Sequence, residues 1–312
     1  MPVPGFGRPG LGRLVFGGAP IGGLYAPVSD EAAAQTLAAA WAAGVRAFDT
    51  APHYGAGLSE RRVGAFLAGQ PRAEFAVSTK VGRRLVPDAD GERAAEFWGT
   101  PSLTRVRDYS CDGVRRSLEE SLQRLGLDRV DIALIHDPDD FLAQAADEAY
   151  PALADLRAQG VIGAVGAGMN DSAPLAWLLE RCDFDCVLIA GRYTLLDQEA
   201  AAGLFPLCLD RGVAVLAGGV FNSGVLADPV QDARYDYAPA SAEVLAQARR
   251  LRAACARHGV PLAAAALRFT LRHPAVTAAV VGARSAAEIT ADAGYLDAPI
   301  PDALWTELAE PP

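Results

Sequence analysis

Short apolar runs alternate with longer amphipathic stretches along nearly the whole chain. The apolar runs cover residues 14–16, 45–48, 75–79, 130–135, 162–165, 186–189, 213–216 and 278–281. They do not alternate polar with apolar, which is the pattern of parallel strands covered on both faces. Between them a helical period recurs. Ser29 reads as an N-cap, with Asp30 and Glu31 in the first turn and Gly44 as a stop, around an Ala-rich helix carrying Leu37 and Trp41. A second helix is predicted over residues 59–68, ending at Gly69. A third starts near Ser110. Val114, Leu118, Leu122 and Leu125 form its inner stripe, Arg115, Arg116, Glu119, Glu120, Gln123 and Arg124 face out, and Gly126 ends it. Further helices are predicted over 152–159, 173–180 and 200–210, with a pair within 242–272. Eight strand–helix repeats predict an α/β fold, a (β/α)8 TIM barrel forming a single domain over residues 1–312.

Residues 81–109, after the third strand, break this rhythm. The stretch has neither helical nor strand period and holds Pro87, Gly91, Gly99 and Pro101. It is predicted to be a long loop overhanging the barrel mouth, and loops of this length in a compact domain are usually functional or disordered. Phe97, Trp98 and Tyr109 either line a substrate pocket or pin the loop to the barrel, and the sequence leaves both readings open.

Composition narrows the function classes. The chain has 312 residues, 51% of them hydrophobic, enough for one large core. A formal net charge of -10 with no offsetting basic stripe argues against a nucleic-acid partner. The most apolar stretch, residues 32–45, is interrupted by Gln35, Thr36 and Gly44 and is too short to span a bilayer. Met1-Pro2-Val3-Pro4-Gly5 lacks the basic and apolar regions of a secretory signal. Five cysteines (Cys111, Cys182, Cys186, Cys208 and Cys255) are irregularly spaced without a C-x-x-C pair and read as reduced core thiols. The expected location is cytoplasmic, no metal site is expected, and the sequence leaves oligomeric state open.

Four polar side chains stand at or near the ends of apolar runs: Asp49, Tyr54, Lys80 and His136. In a parallel barrel those ends converge on one mouth, where active sites sit. A phenol with a pKa of ~10 is a poor acid or base at neutral pH. A neighbouring ammonium favours the phenolate and is expected to lower that value. A carboxylate keeps the ammonium charged and aimed, and an imidazole orients a substrate oxygen or relays a proton. The set suits proton transfer to or from a carbonyl or hydroxyl oxygen. That is half of a hydride transfer, whose other half a nicotinamide supplies. Taken singly, each residue has another reading. Asp49 caps a loop or merely pairs with Lys80. Lys80 is a Schiff-base nucleophile of a barrel lyase. His136, with Asp137 and Asp139, is a metal ligand, although no second His lies near it in the sequence. His53, beside Tyr54, is read as lining the mouth for substrate, and His258 and His273 as structural.

The segments Phe48-Asp49-Thr50-Ala51-Pro52-His53-Tyr54-Gly55, Gly57-Leu58-Ser59-Glu60, Ser78-Thr79-Lys80-Val81-Gly82 and Leu134-Ile135-His136-Asp137 together resemble the signature of the aldo-keto reductase family. The resemblance covers nearly the whole chain. It implies a (β/α)8 barrel and a nicotinamide cofactor held without a Rossmann domain. It also implies Tyr54 as general acid/base, Lys80 and Asp49 as its tuning pair and His136 as the residue orienting substrate. Residues 134–140, 190–198 and 219–224 are most similar to the aldose 1-dehydrogenase branch, acting on L-fucose, D-threo-aldoses or L-galactose, with pyridoxal 4-dehydrogenase as a cousin. The implied reaction is NAD(P)-dependent oxidation of an anomeric hydroxyl to a lactone. The alternatives are oxidation of pyridoxal, general aldehyde or ketone reduction, and a binding or regulatory barrel without turnover.

The same resemblance marks cofactor residues. Asn170 is expected to hold the nicotinamide carboxamide, preceded by Met169 where the family commonly has Ser. The aromatic that stacks on the nicotinamide falls near Gly218, with Phe221 as a substitute, and the family's Gln on the sixth strand aligns with Ala190. Gly219, Asn222, Ser223 and Gly224 form a small-residue loop after the seventh strand that lets backbone N–H groups approach a pyrophosphate. Gly282, Ala283, Arg284, Ser285, Glu288 and Asp292 mark the adenosine end, although a capping box alone explains Ser285 and Glu288. Lys and Arg of NADP-preferring members are matched here by Gly282 and Glu288. A carboxylate repels a 2′-phosphate and accepts from a ribose hydroxyl, so NAD is expected over NADP. Arg284 is the residue able to pair with a phosphate or stack on adenine.

Overall fold

The computed structural model describes residues 12–87 and 96–309. The residues read for a secretory signal and the centre of the 81–109 segment lie outside the described residues. Eight parallel strands close a barrel: β1 (Leu14–Gly17), β2 (Ala47–Asp49), β3 (Ala76–Val81), β4 (Val130–His136), β5 (Ile162–Met169), β6 (Cys186–Ala190), β7 (Ala214–Gly218) and β8 (Val276–Gly282). Each strand pairs with its neighbours in sequence, and β8 returns to β1. This is the (β/α)8 barrel read from the hydrophobic pattern.

Alternate residues of each strand face opposite ways. The inward set is Val15, Ala47, Ala76, Ile132, Leu134, Ala164, Cys186, Leu188, Ala214, Leu216, Ala278 and Val280, which fill the barrel. The outward set, including Phe16, Phe48, Val77, Ala133, Ile135, Val165, Val187 and Val281, meets helix residues such as Leu37, Val63, Val114 and Leu118. Both faces are apolar, so period two is invisible in the sequence. The helices begin and end where the caps predict. Ser29 accepts from the Ala32 N–H ahead of α1 (Asp30–Ala42). Ser110 accepts from the Gly113 N–H ahead of α3 (Cys111–Leu125), which closes at Gly126 with φ +65°. Between these lies α2 (Leu58–Leu67).

Two hairpins were not expected. Within residues 81–109, Arg83–Pro87 pairs antiparallel with Leu103–Arg107. Arg83, Arg84, Arg105 and Arg107 decorate the arms, and only Leu85 and Thr104 are buried, so the charges hide the strand pattern. Gly82 makes the turn out of β3, with φ +98°, and a Cβ there would lie 2.2 Å from the Tyr109 ring. The second hairpin pairs Arg234–Tyr235 with Ala238–Pro239. Its turn residues, Asp236 and Tyr237, have φ +47° and +66°, the geometry of a two-residue hairpin turn usually made by Asn-Gly. Four cysteines are buried, but Cys111, at the start of α3, is exposed rather than a core thiol. Among the described residues no helix is long and apolar enough to cross a membrane.

Candidate active site

Asp49 ends β2, Lys80 is the next-to-last residue of β3 and His136 ends β4, so adjacent strands bring all three to one corner of the mouth. Each is the next inward position after the barrel filling: Ala47 then Asp49, Ala76 then Ser78 and Lys80, Leu134 then His136. Tyr54 joins them from the loop between β2 and α2. Lys80 Nζ donates to Asp49 Oδ2 at 2.6 Å, to the Thr50 carbonyl at 3.1 Å and to the Tyr54 hydroxyl oxygen at 3.0 Å. An ammonium has three N–H bonds, and these partners use all of them. Ser78 donates to the other oxygen of Asp49 at 2.6 Å.

Burial disfavours the charge on Lys80, which is 1% exposed, but Asp49 and Tyr54 outweigh burial and hold its pKa above the usual lysine value. With all three N–H bonds engaged and its pKa held up, Lys80 is kept as a cation, which argues against the Schiff-base reading. Tyr54 departs from expectation. Burial raises its pKa above the ordinary value, Asp49 adds to the rise, and the pull of Lys80 in the other direction is too small to reverse it. Desolvation of a phenolate outweighs one neighbouring cation. The phenol keeps its proton at neutral pH. Burial, Arg83, Lys80 and His53 all press the His136 pKa well below its usual value, so the imidazole is neutral. The rings of Tyr54 and His136 stand perpendicular with centroids 5.9 Å apart.

Residues behind the mouth hold this corner. Ser59 Oγ donates to the Gly18 carbonyl and lies 2.8 Å from Thr50 Oγ1. Glu60 is fully buried. Its carboxylate accepts from Thr79 at 2.7 Å and from Arg124 at 2.5 Å, tying the strand of Lys80 to α2 and α3.

The pocket at Tyr54 has a polar wall and a largely apolar floor. On the wall, His53 Nε2 lies 3.4 Å from Glu96, and Arg83 donates to Asp137 at 2.7 Å. Burial, offset in part by Glu96, takes the His53 pKa down to about 4, so it is neutral as well. Phe97 turns into the pocket, 27° from parallel with the Tyr54 ring. Its neighbour Trp98 does not line the pocket. It is 57% exposed, and its backbone N–H bonds to the Gly23 carbonyl, so it pins the loop. Tyr109 does not line the pocket either. It is fully buried, and its hydroxyl donates to the carbonyls of His136 and Asp137. Arg83, Glu96, Asp137 and Tyr237 line the pocket and were not read from the sequence. Only Asp137 carried a signal, its place directly after His136.

The floor is made by Gly168, Met169, Asn170, Leu188 and Ala190. It is apolar and carries one amide, which fits a planar carboxamide-bearing ring beside Tyr54. Gly218 is buried against Leu188 and Ala190. Gly219, at φ +61°, packs so closely that a Cβ would lie 2.8 Å from the Gly191 nitrogen. Asn222 donates to the Gly191 carbonyl, and its buried Oδ1 has no partner among the described residues, an orphan acceptor beside this loop. Ser223 Oγ accepts from Tyr25 Oη and from the Tyr237 N–H, both at 3.1 Å, so it also anchors the second hairpin. Gly224, at φ +104°, faces open space. Phe221, partly buried, packs against the hydrophobic core and is not among the pocket-lining residues. At the far end, a Cβ on Gly282 would meet Pro20, and Ala283 is buried. Ser285 caps the helix by accepting from the Glu288 N–H, but the Glu288 carboxylate accepts from the N–H of the exposed Arg284 rather than from that of Ser285, so half of the expected capping box forms. Asp292, one turn further on, is buried, and burial together with Glu288 raises its pKa to about 7.

A barrel mouth that sets a proton-bearing phenol against a lysine–aspartate pair and a neutral imidazole is the site of an oxidoreductase. The chain belongs to the aldo/keto reductase family, whose sequence model matches residues 13–310. It is 43% identical over 314 residues to a D-threo-aldose 1-dehydrogenase of Pseudomonas sp., covering 98% of this chain and 94% of the relative. It is 41% identical to a pyridoxal 4-dehydrogenase of Microbacterium luteolum, covering 97% and 95% respectively. Among solved structures, a glycerol dehydrogenase of Gluconobacter oxydans has a TM-score of 0.77 at 24% identity over 99% of this chain and 94% of its own, a likeness of fold.

Proposed function

We propose that the chain is an aldose 1-dehydrogenase that prefers NAD and oxidises an anomeric hydroxyl to a lactone. The observation that carries this reading is the wall of the pocket, where His53–Glu96 and Arg83–Asp137 set hydrogen-bonding groups around the Tyr54–His136 corner. A ring bearing several hydroxyls exchanges hydrogen bonds with such groups, and a simple alkyl aldehyde lacks the donors and acceptors to do so. The 43% identical relative is named for the same reaction class.

In this reading Tyr54 is the general acid/base, taking the anomeric hydroxyl proton in oxidation and returning it in reduction. Lys80, held by Asp49, stabilises the phenolate form, and His136 donates its N–H to the reacting oxygen. A bound nicotinamide supplies the hydride acceptor. Asn170 would hold its carboxamide, Gly219, Asn222, Ser223 and Gly224 its pyrophosphate beside Gly218, and the segment from Gly282 to Glu288, with Asp292, its adenosine end. Glu288 at that end favours a ribose hydroxyl over a phosphate. Deuterium at C1 of L-fucose or L-galactose tests the assignment. Deuterated reduced nicotinamide and a lactone product are expected, and turnover without label transfer overturns anomeric oxidation.

A second reading, oxidation of a flat aromatic aldehyde of the pyridoxal type, is favoured by Phe97, whose near-parallel ring over Tyr54 forms one side of a slot, and by the 41% identical relative.

A further inference from the structure

We propose that the Arg83–Asp137 pair selects a polyhydroxylated substrate by binding the hydroxyl next to the reacting carbon, and that Asp137 also sets the tautomer of His136. This rests on the aldose reading above. Asp137 follows His136 directly and has φ +41°, in the left-handed region that a non-glycine residue seldom adopts. Two bonds lock it there: its N–H donates to the Gly168 carbonyl at 3.0 Å, and its own carbonyl accepts from Tyr109 at 2.8 Å. Asp137 lines the pocket, with Oδ2 2.7 Å from an Arg83 nitrogen and 3.5 Å from His136 Nε2. Strain of this kind persists at sites where the surroundings over-determine it.

Arg83 opens the first hairpin and reaches back across the mouth. Both side chains of the pair are 16% exposed. The Arg83 Nε–H is buried and has no partner among the described residues, and the same is true of His136 Nδ1. A neutral imidazole carries one N–H. With a carboxylate beside Nε2 and no partner for Nδ1, the proton belongs on Nε2, which then donates to the reacting oxygen. A vicinal hydroxyl lies about 3 Å from that oxygen, and His136 Nε2 and Asp137 Oδ2, 3.5 Å apart, are close enough together to reach both oxygens. That hydroxyl donates to Asp137 and accepts from Arg83, giving the orphan N–H a partner. An ion pair held in a half-closed pocket contributes little to stability by itself. It contributes to discrimination, because a substrate lacking the hydroxyl leaves the buried Arg83 Nε–H without a partner.

The test uses the full-length enzyme with an aldose it oxidises and the 2-deoxy analogue of that aldose. Removing the hydroxyl should cost the wild type about 100-fold or more in kcat/KM. Asp137→Asn should lose a similar factor on the full aldose and discriminate against the deoxy sugar less than about 5-fold. Arg83→Lys should keep part of the discrimination that Arg83→Met loses, mainly through KM, whereas Asp137→Asn should also lower kcat through His136. Cofactor affinity, read by fluorescence quenching, should be unchanged in every variant and shows that each is folded. Undiminished discrimination in both Asp137→Asn and Arg83→Met overturns this inference alone, as does a wild type indifferent to the hydroxyl. Absence of aldose oxidation by the wild type overturns the functional reading and this inference with it.

Discussion

Tyr109, fully buried, donates its hydroxyl to the carbonyl oxygen of His136 at 2.6 Å. It shares the same proton with the Asp137 carbonyl at 2.8 Å. A residue of the 81–109 segment thus holds the backbone that presents both the imidazole and the carboxylate. Tyr109→Phe removes the donor from two carbonyls. The expected cost is about 1–3 kcal/mol in urea unfolding, with kcat falling more than cofactor affinity. Unchanged kcat at reduced stability would separate the hydroxyl from the site.

The raised pKa of Tyr54 predicts an asymmetric pH dependence. Reduction needs the protonated phenol, so its rate should stay level through neutrality and fall only in alkali. Oxidation needs the phenolate, so kcat/KM should climb about tenfold per pH unit toward alkali. Lys80 opposes the rise in the Tyr54 pKa, so Lys80→Met should move the oxidative limb to still higher pH. An oxidative profile that levels off near neutrality contradicts the burial of Tyr54.

Glu60 is fully buried between Thr79 and Arg124. Glu60→Ala leaves a partly buried guanidinium without its carboxylate and should destabilise the fold by about 3–5 kcal/mol in denaturant unfolding. A loss below about 1 kcal/mol would mean that solvent replaces the pair.

Asp292 gives a stability test with a defined sign. Its folded pKa, about 7, lies above the ordinary value of 3.8. The folded chain therefore binds this proton more tightly than the unfolded chain, and stability falls as pH rises between those two values. Asp292→Asn should flatten that fall. It should stabilise the cofactor-free protein by about 1–3 kcal/mol above neutrality and have no effect in acid below the ordinary carboxyl range. Equal melting temperatures for variant and wild type at pH 8 would contradict this.

The barrel was legible because its strands are apolar on both faces and its helices carry clear caps, as Ser29, Ser110 and Gly126 show. Asp49, Lys80 and His136 were legible because a charged or polar residue at the end of an apolar run, on an inward position, has nowhere to go but the mouth. Other features depend on what lies far away in sequence. Arg83 and Asp137 are 54 positions apart. Phe97 and Trp98 are adjacent and equally aromatic, and which one turns inward is decided by the pairing of Leu24 with Phe97. The hairpin at Asp236 and Tyr237 lacks the glycine that signals such a turn. The direction of the Tyr54 shift depends on how completely the folded mouth excludes water, and no local motif encodes that.

The most direct test of the account is the initial rate of nicotinamide reduction with NAD and with NADP against L-fucose, D-arabinose, L-galactose, D-glucose and pyridoxal. The account predicts turnover of at least one of the first three sugars, with higher catalytic efficiency on NAD. Turnover of pyridoxal alone would contradict the aldose assignment, and an NADP/NAD efficiency ratio well above one would contradict the reading of Glu288.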